Sequence, residues 1–215
     1  MRNILFSVQK QLKTGTPALL IIDMQSDFVD DSGKVAKKGG QVHLVQGIVS
    51  QINTLVARAR EGNLPIIWVR TEHVVAQEHD SYLAVYLRDL EPELHTDDSL
   101  LVTRGSTGAN WCRGLLTPSQ GELVITKSAY SAFHETDLES HLQQLGITTL
   151  ILTGCNTDVC LYSTAAEGFF RGYYPVLVAD ASASSTGAEV QQACLKTHKR
   201  FYGHTITTEQ LVALI

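Results

Sequence analysis

The chain has 215 residues and a mass of 23.6 kDa, enough for one substantial hydrophobic core, so we predict a single domain over residues 1–215. Seventeen basic and 22 acidic side chains leave a formal net charge of −5 and a pI of about 5.9, which argues against nucleic acid or anionic lipid as a partner. Apolar runs such as Ala18 to Ile22 are far shorter than the roughly 20 residues of a membrane span, and the N-terminal segment lacks a signal-peptide pattern. We therefore expect a soluble, cytoplasmic protein.

Strand-like and helix-like patterns alternate along the chain. Five nearly continuous runs of valine, isoleucine and leucine predict strands covered on both faces, at 18–23, 65–71, 122–127, 148–154 and 174–180. Four segments with apolar residues three or four positions apart predict amphipathic helices, at 42–62, 136–146, 158–172 and 188–203. Such alternation implies right-handed crossovers and parallel pairing. We therefore predict an α/β fold, a three-layer α/β/α domain with a mostly parallel, doubly wound sheet.

Several helix boundaries have signals of their own. Thr136 and Glu139 have the spacing of a capping box at a helix start. Glycines, which readily take a positive φ, follow all four helical patterns, at Gly62, Gly146, Gly172 and Gly203. The stretch from about 73 to 121 is irregular, and we expect it to supply loops and short helices rather than a second domain.

Three reactive side chains stand at or just beyond predicted strand ends: Asp23, Lys127 and Cys160. In an open parallel sheet, binding groups collect beyond the carboxyl ends of the strands. A thiol must lose its proton to attack carbon; Asp23 could take that proton, and Lys127 or the start of a helix could stabilise the thiolate. A buried cysteine, a turn-forming aspartate and a solvated lysine are the ordinary alternatives, but the three together favour a nucleophilic site.

The four cysteines are sparse and irregularly spaced, at Cys112, Cys155, Cys160 and Cys194. A chain of this length needs no disulfides, so we expect free thiols in a reducing compartment. Cys155 and Cys160 have no second close Cys or His pair, which argues against a structural zinc site.

The order of five segments resembles the isochorismatase-like cysteine hydrolases, which include nicotinamidases, N-carbamoylsarcosine amidohydrolases, ureidoacrylate amidohydrolases and biuret hydrolases. The segments are LLIIDMQSDF, PIIWVRT, ITKSAYSAFHETDL, LILTGCNTDVC and RGYYPVLVADASAS, and the resemblance covers roughly residues 17 to 203. Each segment alone is moderately specific, and their order makes the likeness strong.

The resemblance implies a catalytic triad of Asp23, Lys127 and Cys160, a cis peptide bond between Cys155 and Asn156, and an oxyanion hole formed by the backbone N–H groups of Asn156 and Cys160. It further implies hydrolysis of a C–N bond in a small amide, carbamoyl or ureido compound through a thioester-like intermediate, with no cofactor. The cysteine favours this chemistry over vinyl-ether hydrolysis of isochorismate, which some members perform without one. Isochorismate hydrolysis, and a catalytically silent binding protein on the same fold, are the alternatives.

The resemblance also bears on metal binding. Nicotinamidases bind a metal through an Asp-x-His arrangement after the second strand, and here Thr71 stands two residues before His73. The ligand set is therefore incomplete, and we predict no metal site, although Glu72, His73 and His79 lie in this segment.

The segment after Lys127 is similar to that of members acting on carbamoyl, ureido or biuret-like substrates. We predict that Gln25 donates hydrogen bonds to the substrate and that Phe28, Tyr130 and Phe133 line its pocket, with packing in the core as the alternative for the aromatic rings. The resemblance also implies a homo-oligomer, a dimer or a tetramer.

Overall fold

A six-stranded parallel sheet forms the centre of the molecule, in a computed structural model that describes residues 5–74 and 100–215. The strand order is β3-β2-β1-β4-β5-β6, and every pairing is parallel. The strands are β1 (Pro17–Ile22), β2 (Ile66–Thr71), β3 (Leu123–Lys127), β4 (Thr149–Cys155), β5 (Tyr174–Ala183) and β6 (His204–Ile206). The five predicted strands are confirmed. The sixth was not predicted, because three residues are too few to show a pattern.

Helices connect the strands on both sides of the sheet. They are α1 (Val8–Lys13), α2 (Ser26–Val29), α3 (Lys34–Lys37), α4 (Val42–Gln46), α5 (Val49–Glu61), α6 (Leu138–Gln144), α7 (Tyr162–Phe170), α8 (Ala188–Phe201) and α9 (Thr208–Val212). The prediction of a single helix over 42–62 is wrong, because the helix is interrupted at Gly47 and Ile48, between α4 and α5. The apolar spacing continues across the break, so periodicity alone could not locate it. Within the described ranges, no helix is both long and apolar enough to cross a membrane.

Alternate residues of β1 belong to two separate hydrophobic clusters. Leu19 and Ile21 join a cluster with residues of α5 and α9, whereas Leu20 and Ile22 join a cluster with residues of α6 and α7 on the other face. Because successive strand side chains point to opposite faces, helices must cover the sheet on both sides. This arrangement confirms the predicted α/β/α layers. The connections reverse direction where β1 lies between β2 and β4, and such a switch point is where open α/β sheets bind ligands.

The capping box predicted at the start of the third helical pattern is wrong. Asp137 is the N-cap of α6, and it makes no side-chain capping bond. The Thr136 hydroxyl instead donates to the Ala132 carbonyl at 2.5 Å, and Glu139 pairs with Arg171 at 2.7 Å. Thr136 also accepts from the Leu138 N–H at 3.3 Å, whereas Glu139 pairs with Arg171 rather than with the backbone at the helix start.

Two of the four predicted C-terminal glycines take a positive φ, Gly146 at 64° and Gly172 at 89°. Gly62 has a φ of −85°, and Asn63 takes the left-handed conformation after α5 with a φ of 52°. Gly203 is required for another reason, since a β-carbon there would collide with the backbone of Pro175. The expectation of a positive φ was therefore wrong for Gly62 and Gly203.

Gly154, near the end of β4, allows β4 to pass close to β1 directly beneath the strand ends. Its φ is 109°, and a β-carbon would overlap the Ile22 carbonyl oxygen and come within 2.8 Å of the Ile22 nitrogen. We expect Gly154→Ala to lower the free energy of unfolding by about 3 kcal/mol or more, through backbone strain plus overlap.

Gly121→Ala is the matched control, because Gly121 has a φ of 89° but no neighbour within 4 Å of the new carbon. Urea denaturation should give a loss of only about 1 kcal/mol for the control. Equal losses would contradict this account.

Candidate active site

Asp23 lies directly beyond the end of β1, and its backbone turns the chain away from the sheet. Its φ is 54°, a left-handed conformation that aspartate tolerates better than most residues. Its N–H still donates to the Val69 carbonyl at 2.9 Å, so the residue stays attached to the neighbouring strand. The side chain is buried, with 1% of the residue exposed. The carboxylate is therefore held at the switch point rather than in solvent.

Lys127 is the last residue of β3, two strands away from Asp23. Its side chain is fully buried, and burying an ammonium without a partner would be costly. The partners are present: Nζ lies 2.7 Å from Asp23 Oδ2, 2.6 Å from Thr71 Oγ1 and 3.1 Å from the Ala129 carbonyl oxygen. The lysine therefore reaches beneath the strand ends to meet the aspartate.

Cys160 lies in a single π-helical turn, Thr157–Leu161, which continues directly into α7. The N–H of Leu161 donates to the Asn156 carbonyl five residues back, at 3.2 Å. The predicted position in the first turn of a helix is confirmed, although the π form of the turn was not predicted. π-Helical turns occur frequently at functional sites.

The structure brings the three predicted residues together. Lys127 Nζ lies 3.4 Å from Cys160 Sγ, and the same nitrogen is ion-paired with Asp23. The carboxylate and the sulfur therefore share one cation. One acid, one cation and one thiol from three separate elements thus form a connected cluster, although they are far apart in sequence.

The electrostatics of the cluster keep the sulfur protonated in the free protein. Burial raises the pKa of the Cys160 thiol, the negative charge of Asp23 raises it further, and Lys127 only partly opposes the shift. Burial by itself lowers the pKa of Lys127, but Asp23 and Cys160 outweigh it and leave that pKa above its ordinary value. At neutral pH the resting site therefore holds a thiol beside a charged lysine. The thiolate is expected to form during the reaction rather than before it.

Cys155 and Asn156 support the cluster from β4. The peptide bond between them is cis, as predicted. Cys155 is fully buried and its Sγ donates to the Asp23 backbone carbonyl at 3.1 Å, so it packs beside the cis bond. The Asn156 side chain accepts from the Ser185 N–H at 2.9 Å, which ties the turn to the end of β5. All four cysteines are free, including Cys112 and Cys194.

Thr71 is part of the cluster, and sequence reasoning did not assign it to the site. Its hydroxyl lies 3.0 Å from Asp23 Oδ1 and 2.6 Å from Lys127 Nζ, between the two charged groups. The signal was present, because Thr71 ends a predicted strand just as Lys127 does. A threonine hydroxyl does not titrate, so the residue type alone does not suggest acid–base chemistry.

The four predicted substrate-binding residues lie in different environments. Gln25 is fully buried and both hydrogens of its amide are bonded to backbone, to Thr71 O and Ala109 O at 2.9 Å each, so none is left for a substrate. Phe133 is 4% exposed and packs in the core, its ring centroid 5.8 Å from that of Tyr173.

Phe28 and Tyr130 are less buried than Phe133. Phe28 is partly buried against the core cluster that contains α5, and Tyr130, three residues beyond Lys127, is 39% exposed. For Phe133 the structure therefore favours the core alternative, and for Gln25 it favours a role in holding the backbone. Contact with substrate stays a prediction for Phe28 and Tyr130.

The segment after β2 does not assemble a metal site in the described part of the chain, where no group of three His, Cys, Asp or Glu side chains is placed to hold an ion. Glu72 forms ion pairs with Arg70 and with Arg104, the latter at 3.1 Å. The backbone of His73 pairs with the 102–104 segment. His79 lies outside the described residues, so the absence of a metal stays a prediction.

A doubly wound α/β/α domain with a thiol, a carboxylate and an ammonium at its switch point has the architecture of an α/β cysteine enzyme. The Isochorismatase domain model matches residues 17–210. The chain therefore belongs to the isochorismatase family.

Similar proteins agree with this assignment. The chain is 33% identical over 199 residues to the ureidoacrylate amidohydrolase RutB of Klebsiella pneumoniae, a match that covers 86% of this chain and 81% of the relative. It is 31% identical over 219 residues to the RutB of Cronobacter sakazakii, covering 94% and 91%. The structure of a cysteine hydrolase from Pseudomonas syringae superposes with a TM-score of 0.80 at 25% identity, covering 100% of this chain and 98% of the other. N-carbamoylsarcosine amidase from Thermoplasma acidophilum shares the fold, with a TM-score of 0.69 at 24% identity and coverage of 90% and 97%.

Proposed function

We propose that this protein is a cysteine-dependent hydrolase that cleaves a C–N bond of an amide, carbamoyl or ureido group in a small molecule. The observation that carries the proposal is the contact of Cys160 Sγ with Lys127 Nζ at 3.4 Å, where the same nitrogen is ion-paired with the Asp23 carboxylate at 2.7 Å. Ureidoacrylate amidohydrolases are the relatives that support a ureide or amide as substrate.

The first half of the reaction forms a covalent intermediate. Asp23 takes the proton of Cys160 as the sulfur attacks the carbonyl carbon, and Lys127 stabilises the developing thiolate. The C–N bond then breaks, and Asp23 gives the same proton to the departing amine or ammonia. A thioester, or a thiocarbamate from a ureide, remains on Cys160.

The second half returns the enzyme to its starting state. Asp23 takes a proton from water as the water oxygen attacks the acyl carbon. The C–S bond breaks, the proton returns to the sulfur, and the carboxylic or carbamic acid is released. Lys127 keeps its charge throughout, in agreement with a pKa raised above its ordinary value by Asp23 and Cys160 against the opposing effect of burial.

The oxyanion hole of this proposal consists of the backbone N–H groups of Asn156 and Cys160. Cys160 lies in the π-helical turn and Asn156 is the N-cap of that turn, and the bond of Asn156 Oδ1 to the Ser185 N–H holds the turn in place. Donors fixed before the reaction stabilise the charge that develops on the carbonyl oxygen at little reorganisation cost.

The proposal has three further parts: the location, the partner and the assembly of the protein. Free thiols at all four cysteines support a reducing, cytoplasmic location. The small-molecule partner follows from the relatives. Assembly into a dimer or tetramer rests on the family resemblance alone, and size-exclusion chromatography with light scattering would measure it.

A substrate panel tests the proposed function. We expect the wild-type protein to release ammonia from at least one of ureidoacrylate, an N-carbamoyl amino acid, biuret or a simple primary amide, and intact mass spectrometry of a quenched reaction to show an adduct on Cys160. Isochorismate is included to test the alternative, since its hydrolysis yields pyruvate. Pyruvate release without ammonia from any C–N substrate would overturn the proposal. Binding of a ureide without turnover would instead favour the silent binding protein.

A further inference from the structure

The Thr71 hydroxyl has a fixed direction in the cluster. The Lys127 ammonium can donate hydrogen bonds but cannot accept them. At a separation of 2.6 Å the Thr71 oxygen must therefore accept from Nζ. The single hydrogen of the hydroxyl is then directed to Asp23 Oδ1, at 3.0 Å. A polarised chain runs from Lys127 through Thr71 to Asp23, in parallel with the direct ion pair of Lys127 with Asp23 Oδ2 at 2.7 Å.

This double link fixes the rotation of the carboxylate. Oδ2 of Asp23 is ion-paired with Lys127, and Oδ1 accepts from the Thr71 hydroxyl. Thr71 is 5% exposed, so its hydroxyl is directed into the protein rather than towards a substrate. Its effect on the reaction must therefore pass through Asp23 and Lys127.

The Gln25 side chain makes the hydrogen bonds to the Thr71 backbone that a neighbouring strand would otherwise make. β1 ends at Ile22, so no backbone from β1 is available to pair with the end of β2. The Gln25 side chain takes this position: its Oε1 accepts from the Thr71 N–H at 2.8 Å and its Nε2 donates to the Thr71 carbonyl at 2.9 Å. The second hydrogen of Nε2 reaches the Ala109 carbonyl, also at 2.9 Å. The threonine is thereby fixed on the β1 side, while β3 pairs with it on the other side.

We propose that Thr71, clamped by the Gln25 side chain, is a positioning residue of the reaction that orients the Asp23 carboxylate for transfer of the proton between Cys160 and the leaving amine. The inference rests on the proposed function, because it assigns Thr71 a part in that proton transfer. Thr71 touches neither substrate nor sulfur in this account.

Variants that differ only in the hydroxyl test the proposal. We expect Thr71→Ala and Thr71→Val to lower kcat about 10- to 100-fold with KM changed less than about threefold, because the carboxylate loses its second anchor while the substrate pocket is unaltered. Thr71→Ser, which restores the hydroxyl, should stay within about threefold of wild type. Thr126→Val is the matched control, since Thr126 is an exposed residue of β3 and should leave kcat unchanged. Should Thr71→Val fail to fold, the Thr71→Ser and Thr71→Ala pair carries the same comparison.

Three results would overturn the inference: wild-type kcat in Thr71→Ala, equal impairment of Thr71→Ser and Thr71→Ala at equal thermal stability, or a higher KM at unchanged kcat, which would make Thr71 a substrate ligand. Alkylation of Cys160 by iodoacetamide separates this failure from failure of the proposed function. Without the Thr71 hydroxyl, the Lys127 hydrogen that it accepted is released and can strengthen the existing 3.4 Å contact of Nζ with Cys160 Sγ, so alkylation should be at least about threefold faster in Thr71→Ala than in Thr71→Ser. This difference is expected even if no C–N substrate is turned over, and equal rates would count against the inference.

Discussion

Replacing Cys160 with alanine is expected to lower kcat/KM for C–N bond hydrolysis at least about 1000-fold, because the attacking atom is removed. Cys160→Ser is expected to be almost as inactive, since Asp23 and Lys127 are arranged around a sulfur at 3.4 Å from Nζ and a serine hydroxyl is far harder to deprotonate. Ammonia release on the best substrate of the panel measures both variants. The mass adduct seen with wild type should be absent from Cys160→Ala.

Cys194→Ser is the control for this experiment. Cys194 is a free, partly buried cysteine on α8, outside the cluster, and its variant should keep wild-type turnover. If Cys160→Ala released ammonia at the wild-type rate in a preparation free of contaminating amidase, the nucleophile would have to be another group. The mechanism proposed for Asp23 and Lys127 would then fail with it.

Replacing Lys127 with methionine is expected to abolish turnover and also to destabilise the fold, by about 3–5 kcal/mol. The side chain is fully buried, and its loss leaves the Asp23 carboxylate buried without the ammonium 2.7 Å away. For a domain of this size the loss corresponds to a fall in Tm of roughly 6–20 °C. Calorimetry or circular dichroism measures the shift, and methionine keeps most of the lysine volume so that the effect reports the charge.

The double variant Asp23→Asn with Lys127→Met supplies the control. Removing both charges leaves no unpaired ion, so the double variant should be less destabilised than the sum of the two single variants. Strict additivity would contradict the ion pair as the cause.

Burial lowers the pKa of Lys127, but Asp23 and Cys160 raise it above the ordinary 10.5. In wild type the contribution of the pair is therefore fully present at neutral pH and is lost only as the pH rises through that raised value.

The proximity of Asp23, Lys127 and Cys160 could be predicted from the sequence because each stands at or just beyond the end of a strand that an apolar run reveals, and parallel strands end at a common edge. The sequence holds no comparable signal for the roles of Gln25 and Phe133. Gln25 was predicted to donate hydrogen bonds to the substrate, whereas its amide pairs with the backbone at the end of β2. Phe133 could not be assigned to pocket or core by composition, since an aromatic ring suits both.

By itself, the sequence determined the parallel α/β architecture, five of the strands, and the three residues that meet at their ends. The tertiary structure alone decided how those residues are joined. It placed Thr71 between Asp23 and Lys127, made the turn at Cys160 π-helical, and kept the thiol protonated in the free protein. The physical reason is that the sequence pattern is local, whereas the contacts of the site join residues far apart in the chain. Periodicity along a chain records which face of a strand or helix is buried, whereas hydrogen-bond partners and the electrostatic environment of a buried thiol depend on groups from other strands that only folding brings within contact.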